Sequence, residues 1–239
     1  MTVLAQTRFE TATILRNGEQ LLLNILLPIA ALVVLAEVPL AGREPLGIEL
    51  AFPSALALAW ASTAFSSQAI AVAFDRRWGV LRMLATTPLG GRGLFAGKLG
   101  AITIVALIQT LVLFVIGLFL GLSFNAGVLL PGLAFLVLGL AGFLGIGLLI
   151  GGTMKPEAVL AVANLLWIVM AGLGGLLVPL DDYPSIWGAI IAYTPPGALG
   201  EGLRNVSTGE GYAIHLLVLA GWAVGGGLLA ASRFRWDSK

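Results

Sequence analysis

Few side chains in this sequence have the type and spacing that catalysis or metal binding would need. The chain has no cysteine and a single histidine, His215, which excludes disulfides, thiolate chemistry and a histidine metal cluster. Asp181 and Asp182 are adjacent in the chain, so their carboxylates do not face each other as a general acid and base would. No serine is placed with a base in a triad-like arrangement. We expect no catalytic or metal site, and a membrane-embedded enzyme that uses these three residues is kept as an alternative.

A nucleotide site is also absent from the sequence. There is no GxxxxGK[ST] loop, and the pair Gly90–Gly91 follows no strand and precedes no GK[ST]. The long apolar segments carry no ionisable residue near their centres, where such residues usually mark ion or proton pathways. We therefore predict that this chain neither hydrolyses ATP nor works as a proton-driven pump, and that it binds no cofactor.

Residues 74–98 form a basic segment between two apolar segments. Trp78, Leu81 and Leu84 recur at three- and four-residue spacing, with the arginines mostly elsewhere around the helix. Pro88 disfavours helix for the residue before it and so ends the pattern. The product is a short basic amphipathic helix, which can fit a groove on a soluble partner or lie on anionic lipid of the inner leaflet. The residues alone leave both functions open.

The composition of the chain is that of a protein embedded in a lipid bilayer. The 239 residues are 59% hydrophobic and 10% charged, with a mean hydropathy of +1.01, whereas a soluble domain carries about 25% charged residues. A span needs roughly 20 mainly apolar residues and must be helical, because lipid offers no partners for backbone groups. We predict one all-α polytopic membrane domain over residues 1–239 with six transmembrane helices. The predicted spans are residues 21–40, 51–73, 99–122, 128–153, 158–178 and 213–231.

The distribution of Lys and Arg predicts the orientation of these spans. With the N-terminus inside, all of the 13 basic residues except Arg43 and Arg204 fall in segments on the cytoplasmic side. Both termini are therefore predicted to be cytoplasmic. The net charge of +1 gives no electrostatic reason to expect a nucleic-acid partner.

Two further segments are predicted to lie at the membrane surfaces. Residues 1–20 carry Leu4, Phe9 and Leu15 roughly along one helical face, which predicts an interfacial helix, with a solvated tail as the alternative. Residues 179–212 contain an apolar stretch too short to cross and are predicted to form a re-entrant outer segment.

Two motifs resemble those of the ABC-2 type transporter permeases. In the family the first motif has an acidic residue, basic residues, G-x-L-x-x-L-x-x-T-P and a later G-K, and many members carry Glu where this chain has Asp75. The matching residues are Asp75, Arg76, Gly79, Leu81, Leu84, Thr87, Pro88, Gly97 and Lys98. The second motif comprises Gly174, Gly175, Pro179, Pro184, Trp187, Pro195, Pro196, Leu203 and Arg204. The resemblance covers essentially the whole chain.

The resemblance implies the membrane subunit of an ATP-driven exporter in a bacterial plasma membrane. The implied partners are a separate ABC ATP-binding subunit that holds ATP and Mg²⁺, a second permease chain, identical or related, and membrane lipid. The substrate would be a hydrophobic drug, a lipid or a glycolipid, and Asn164 and Trp167 would lie on its path. The helix from Asp75 to Thr87 would couple to the ATPase. The coupling residues would be Asp75, Arg76, Arg77, Trp78, Gly79, Leu81, Arg82, Leu84, Thr87 and Pro88. A membrane anchor or assembly protein without a transport cycle is the main alternative.

Overall fold

The fold is a bundle of helices, as the apolar runs of the sequence predict. The structure, a computed structural model, describes residues 2–39, 44–86 and 90–234. Within these ranges we number ten helices, of which α2 (18–37) and α3 (Ile48–Arg77) each include a π-helical segment. The others are α1 (Val3–Arg16), α4 (Val80–Ala85), α5 (Gly90–Phe119), α6 (Leu129–Thr153), α7 (Pro156–Gly172), α8 (Ser185–Ala192), α9 (Pro195–Thr208) and α10 (Ala213–Arg233).

Four of these helices are long and apolar enough to cross a membrane: α3, α5, α6 with the 3₁₀ turn before it, and α10. The apolar parts of α2 and α7, Asn24–Glu37 and Pro156–Gly172, are shorter. α5 begins at Gly90, so residues 90–98, predicted as loop, form its first turns. α7 ends at Gly172, six residues before the predicted end of the fifth span.

Helix α3 lies at the centre of the bundle. In its most apolar window 83% of the residues are buried, against 33% for α5 and 22% for α10. α3 contains many alanines, and small side chains let neighbouring helices approach closely. Fully buried examples are Ala51, Ala55, Ala57, Ala59, Ala61, Ala64, Ala69 and Ala73. Residues on α3 are therefore held by several helices at once, whereas α5 and α10 leave broad apolar faces exposed.

Helix α1 packs against α5 through its polar face. Gln6, Thr7 and Glu10 are buried, while Leu4 and Phe9 of the predicted apolar stripe are 78% and 58% exposed. The polar residues turn inward because they find hydrogen-bond partners on α5 and within α1. The exposed apolar residues of α1 thus face away from the rest of the protein.

Candidate functional site

The predicted coupling segment is divided by a sharp turn. Asp75 to Arg77 form the last residues of α3, Gly79 has a left-handed backbone with φ of 76°, and α4 begins only at Val80. Such a φ favours glycine, which has no Cβ to clash. The prediction of one helix from Asp75 to Thr87 is therefore corrected to a helix end, a turn and a six-residue helix, because Gly79 interrupts the helical pattern.

Arg76 and Arg77 hold the turn between α6 and α7. The guanidinium of Arg76 is buried and donates hydrogen bonds to the carbonyls of Gly152 and Met154, at the C-terminal end of α6. The last carbonyls of a helix have no intrahelical donor and attract cations. Arg77 forms an exposed ion pair with Glu157 in the first turn of α7. These two arginines connect α3 to other helices, and Arg76 in particular is not available at the surface.

The exposed part of the segment is what we call the α3–α4 corner: Arg77, Trp78, Arg82 and Met83. The side chains of Trp78 and Met83 are 70% and 63% exposed, and the Trp78 ring lies 5.2 Å from that of Phe74. The three residues of the predicted apolar face do not share one environment. Leu81 and Leu84 are buried, whereas Trp78 is exposed. The predicted residues Thr87 and Pro88 lie outside the described residues.

Asp75 lies next to a buried ion pair that sequence reasoning missed. Lys98 has no exposed surface, and its Nζ is 2.9 Å from Oε1 of Glu10 on α1. Nζ is also 3.9 Å from Oδ2 of Asp75 and 3.4 Å from Oε1 of Gln68, both on α3. Lys98 was placed in a loop because of its charge, whereas it belongs to the third turn of α5. The sequence signal for a role of this lysine was its place in the G-K pair of the first motif.

A layer of polar side chains connects α2, α3 and α5 inside the bundle. Asn24 and Ser67 exchange hydrogen bonds of 3.0 and 3.3 Å, and Gln109 donates to Thr63 Oγ1 at 2.8 Å. Gln109 also donates to the backbone carbonyl of Asn24 at 2.7 Å. Gln109 therefore bonds to two other helices, and Gln68 of α3 likewise accepts from Lys98 of α5. Both π-helical segments, Leu22–Leu26 and Ser62–Ser66, contribute residues to this layer.

The two predicted path residues have different surroundings. The indole N–H of Trp167 donates a 2.6 Å hydrogen bond to Ser62 Oγ in the π-helical segment of α3. Asn164, one turn earlier on α7, is exposed and lies among the exposed apolar residues Leu160, Leu165 and Ile168. The structure thus ties Trp167 to the central helix and leaves the amide of Asn164 on the outer face of α7.

At the opposite end of the bundle, Arg204 of α9 fixes the segment after α7. Arg204 is 2% exposed and donates hydrogen bonds to Ser54 Oγ on α3 at 2.9 Å. It also donates to the backbone carbonyls of Gly175, Leu176 and Val178, at 2.8, 3.1 and 3.3 Å. Arg204 was predicted as a basic residue of an outer loop. Its burial was hard to predict from the sequence, because most of its acceptors are backbone carbonyls.

Glu201 balances the charge of Arg204. Oε2 of Glu201 is 2.8 Å from Nη2 of Arg204, and it also accepts from the backbone N–H of Leu180 at 3.2 Å. Burial lowers the pKa of the Arg204 guanidinium, and the Glu201 carboxylate opposes that shift. The i, i+3 spacing of an acid and an arginine within an otherwise uncharged stretch was the one sequence signal for this pair.

The residues considered for catalysis do not form a common site. His215 is buried in α10, whereas Asp181 and Asp182 are exposed in a 3₁₀ turn. Among the described residues, no group of three or more His, Cys, Asp or Glu side chains is arranged to hold a metal ion.

The fold defines a class of protein: a multi-pass membrane protein with long apolar helices. Helix α1 packs against α5, and the exposed α3–α4 corner lies beside a buried ion pair. The family model described as ABC-2 family transporter protein matches residues 15–232. The chain therefore belongs to the ABC-2 family and is a membrane component of an ABC transporter. A search of curated proteins gave no match.

Proposed function

We propose that the chain is the transmembrane subunit of an ATP-driven exporter and forms the path for a hydrophobic drug, a lipid or a glycolipid. ATP and Mg²⁺ are bound by a separate ABC ATP-binding subunit, which docks on the α3–α4 corner. The family membership supports the coarse part of this proposal. The observation that carries the finer part is the exposure of Trp78 and Met83 at the corner.

The proposed topology has six spans, with both termini in the cytoplasm of a bacterium. α2 comprises residues 18–37, and a helix of that length is about 30 Å long, enough to cross the hydrocarbon core. α7 is shorter by itself, and the segment that follows it up to 178 completes the crossing. Residues 179–212, with α8 and α9, form the outer re-entrant segment.

The corner has the composition of a protein–protein interface. Aromatic residues, methionine and arginine are enriched at such interfaces, and here Trp78 and Met83 lie beside Arg77 and Arg82. The other predicted coupling residues position the corner: Leu81 and Leu84 anchor α4, Arg76 anchors the end of α3, and Gly79 forms the turn. Lipid alone would also accept a tryptophan, so the corner requires a direct test.

The substrate path is proposed to run along the outer face of α7, between this chain and a second permease chain. A polar amide in hydrocarbon is costly unless it has a partner, and Asn164 has an exposed amide on an apolar helix. A path with water or the polar group of an amphiphile would supply that partner. Trp167, three residues after Asn164, holds α7 to α3 through Ser62.

The test is copurification from the native host in gentle detergent. The tagged chain should recover an ATP-binding subunit in stoichiometric amount, and Trp78→Ala combined with Met83→Ala should lower the recovery at least fivefold. Trp187→Ala is the matched control, because Trp187 is 60% exposed on α8, in the proposed outer segment. Recovery of the chain without any ATPase in several detergents would favour a membrane anchor instead. Equal recovery with the corner variant would place docking elsewhere.

A further inference from the structure

We propose that Lys98 is the positioning residue that joins α1, α3 and α5 into one rigid unit beside the α3–α4 corner. The contacts by which Lys98 joins these helices lie within this chain. The role of Lys98 in transport rests on the proposed function: Lys98 transmits a displacement of the corner to α1 and α5.

The ammonium of Lys98 connects three helices. Lys98 lies on α5, is fully buried, and is within 3.0 Å of both carboxylate oxygens of Glu10 on α1. Toward α3 it reaches Gln68 Oε1 at 3.4 Å and Asp75 Oδ2 at 3.9 Å. A lysine ammonium has three donors and no acceptor, so it suits a site with acceptors on different helices. Glu10 is the main partner, and Asp75, with 30% of its side chain exposed, is the outer one.

The helix surfaces around Lys98 are shaped for this close contact. A Cβ at Gly97 would lie 2.6 Å from Cγ of Gln6, so only glycine allows α1 to approach α5 this closely. Thr7 Oγ1 donates to the carbonyl of Gly97 at 3.3 Å, and Gln6 Nε2 donates to Glu10 Oε1 at 2.9 Å. The G-K pair therefore has two parts: Gly97 sets the distance between the helices and Lys98 provides the charge.

Separation of these helices would leave buried charges unpaired. Removing one partner of a buried ion pair is strongly unfavourable, because the remaining charge is desolvated without compensation. Asp75 lies only three residues from Trp78, so the ion cluster and the exposed corner share the end of α3. Movement of the corner is thus expected to include α1 and α5 rather than bend α3 alone.

The absence of cysteine allows a direct crosslinking test on the purified full chain. A Cβ at Gly100 would lie 3.5 Å from Cβ of Thr7, within the range of a disulfide. The pair Thr7→Cys and Gly100→Cys should oxidise rapidly, and Lys98→Met should slow that oxidation at least fivefold. The control pair is Gly117→Cys and Leu122→Cys at the other end of α5, where the corresponding distance is also 3.5 Å. The control should oxidise at the same rate in both backgrounds.

A second variant covers the case in which Lys98→Met alone does not fold. Lys98→Met, Glu10→Gln and Asp75→Asn together remove every charge of the cluster and leave no ion unpaired. We expect slow Thr7–Gly100 crosslinking in this triple variant as well. Unchanged crosslinking in either variant, with the control also unchanged, would overturn the proposal.

The joint movement is tested in the complex with its ATPase, reconstituted in nanodiscs. Spin labels at Ala12→Cys on α1 and at the exposed Thr86→Cys, directly after α4, report one distance, and labels at Thr86→Cys and Trp187→Cys report another. ATP with vanadate should change the second distance and leave the first within its original distribution. In the triple variant the first distance should change too. If the first distance changes in the otherwise unmodified chain, the helices do not move as one unit. If no ATPase binds, the proposed function fails while the crosslinking result still decides whether Lys98 joins the helices.

Discussion

Gln109 donates a 2.7 Å hydrogen bond to the backbone carbonyl of Asn24, and the residue four positions after Asn24 is Pro28. Proline has no N–H, so the usual helical donor for this carbonyl is missing. A side chain on α5 thus supplies the hydrogen bond that the sequence of α2 cannot make. The same amide nitrogen also donates to Thr63 on α3, so Gln109 of α5 connects the π-helical segments of α2 and α3.

Replacing Gln109 by leucine should destabilise the chain by about 1–3 kcal/mol, because buried polar groups lose their donor. The measurement is thermal unfolding in detergent. Pro28→Ala restores an N–H on α2, so it should recover part of the loss in the Gln109→Leu background and give less benefit in the unmodified chain. Equal effects of Pro28→Ala in both backgrounds would show that the two positions are not coupled.

The neighbouring arginines at the end of α3 should respond differently to substitution. Arg76→Ala leaves two carbonyls at the end of α6 without their buried donor, so we expect a loss of about 2–3 kcal/mol. Arg77→Ala removes only an exposed ion pair, which is screened by solvent and contributes little to stability. Both variants are compared by thermal unfolding in the same detergent. Similar melting temperatures for the two would contradict the anchoring role of Arg76.

Much of this architecture could be predicted from the sequence, because long apolar runs with few charges have few alternatives to membrane helices. What could not be predicted are contacts between residues far apart in the chain. Lys98 looked like a loop residue because its partner Glu10 lies 88 positions away. Arg204 looked like an exposed outer charge because its acceptors are mainly backbone carbonyls, which any sequence has. The turn at Gly79 was missed because the spacing of Trp78, Leu81 and Leu84 fits one continuous helix equally well.

Arg204 should control access to the segment after α7. Lysine keeps the charge but lacks the planar fork that binds several carbonyls at once. Leu176 is fully buried, so Leu176→Cys should react slowly with a maleimide in the purified chain. The additional change Arg204→Lys should raise that rate at least tenfold. Trp187→Cys, at an exposed position, is the control and should react equally fast with either residue at position 204. A slow reaction at position 176 in both backgrounds would rule out this role of Arg204.

The proposed orientation can be tested with the same cysteine-free background. Ser232→Cys and Trp187→Cys are both at exposed positions, but on opposite sides of the membrane in the proposed topology. A membrane-impermeant maleimide should label position 187 in intact bacterial cells, whereas position 232 should be labelled only after the cells are permeabilised. The reverse pattern would invert the topology, and labelling of both positions in intact cells would refute it.

The most direct test of the docking proposal is photo-crosslinking in native membranes. A benzophenone amino acid replaces Trp78 in one variant and Trp187 in another, and the adducts are identified by mass spectrometry. We predict that position 78 crosslinks to an ABC ATP-binding subunit and that position 187 does not. A chain that crosslinks only to lipid at position 78, at normal expression and with the ATPase present in the cell, would contradict the account.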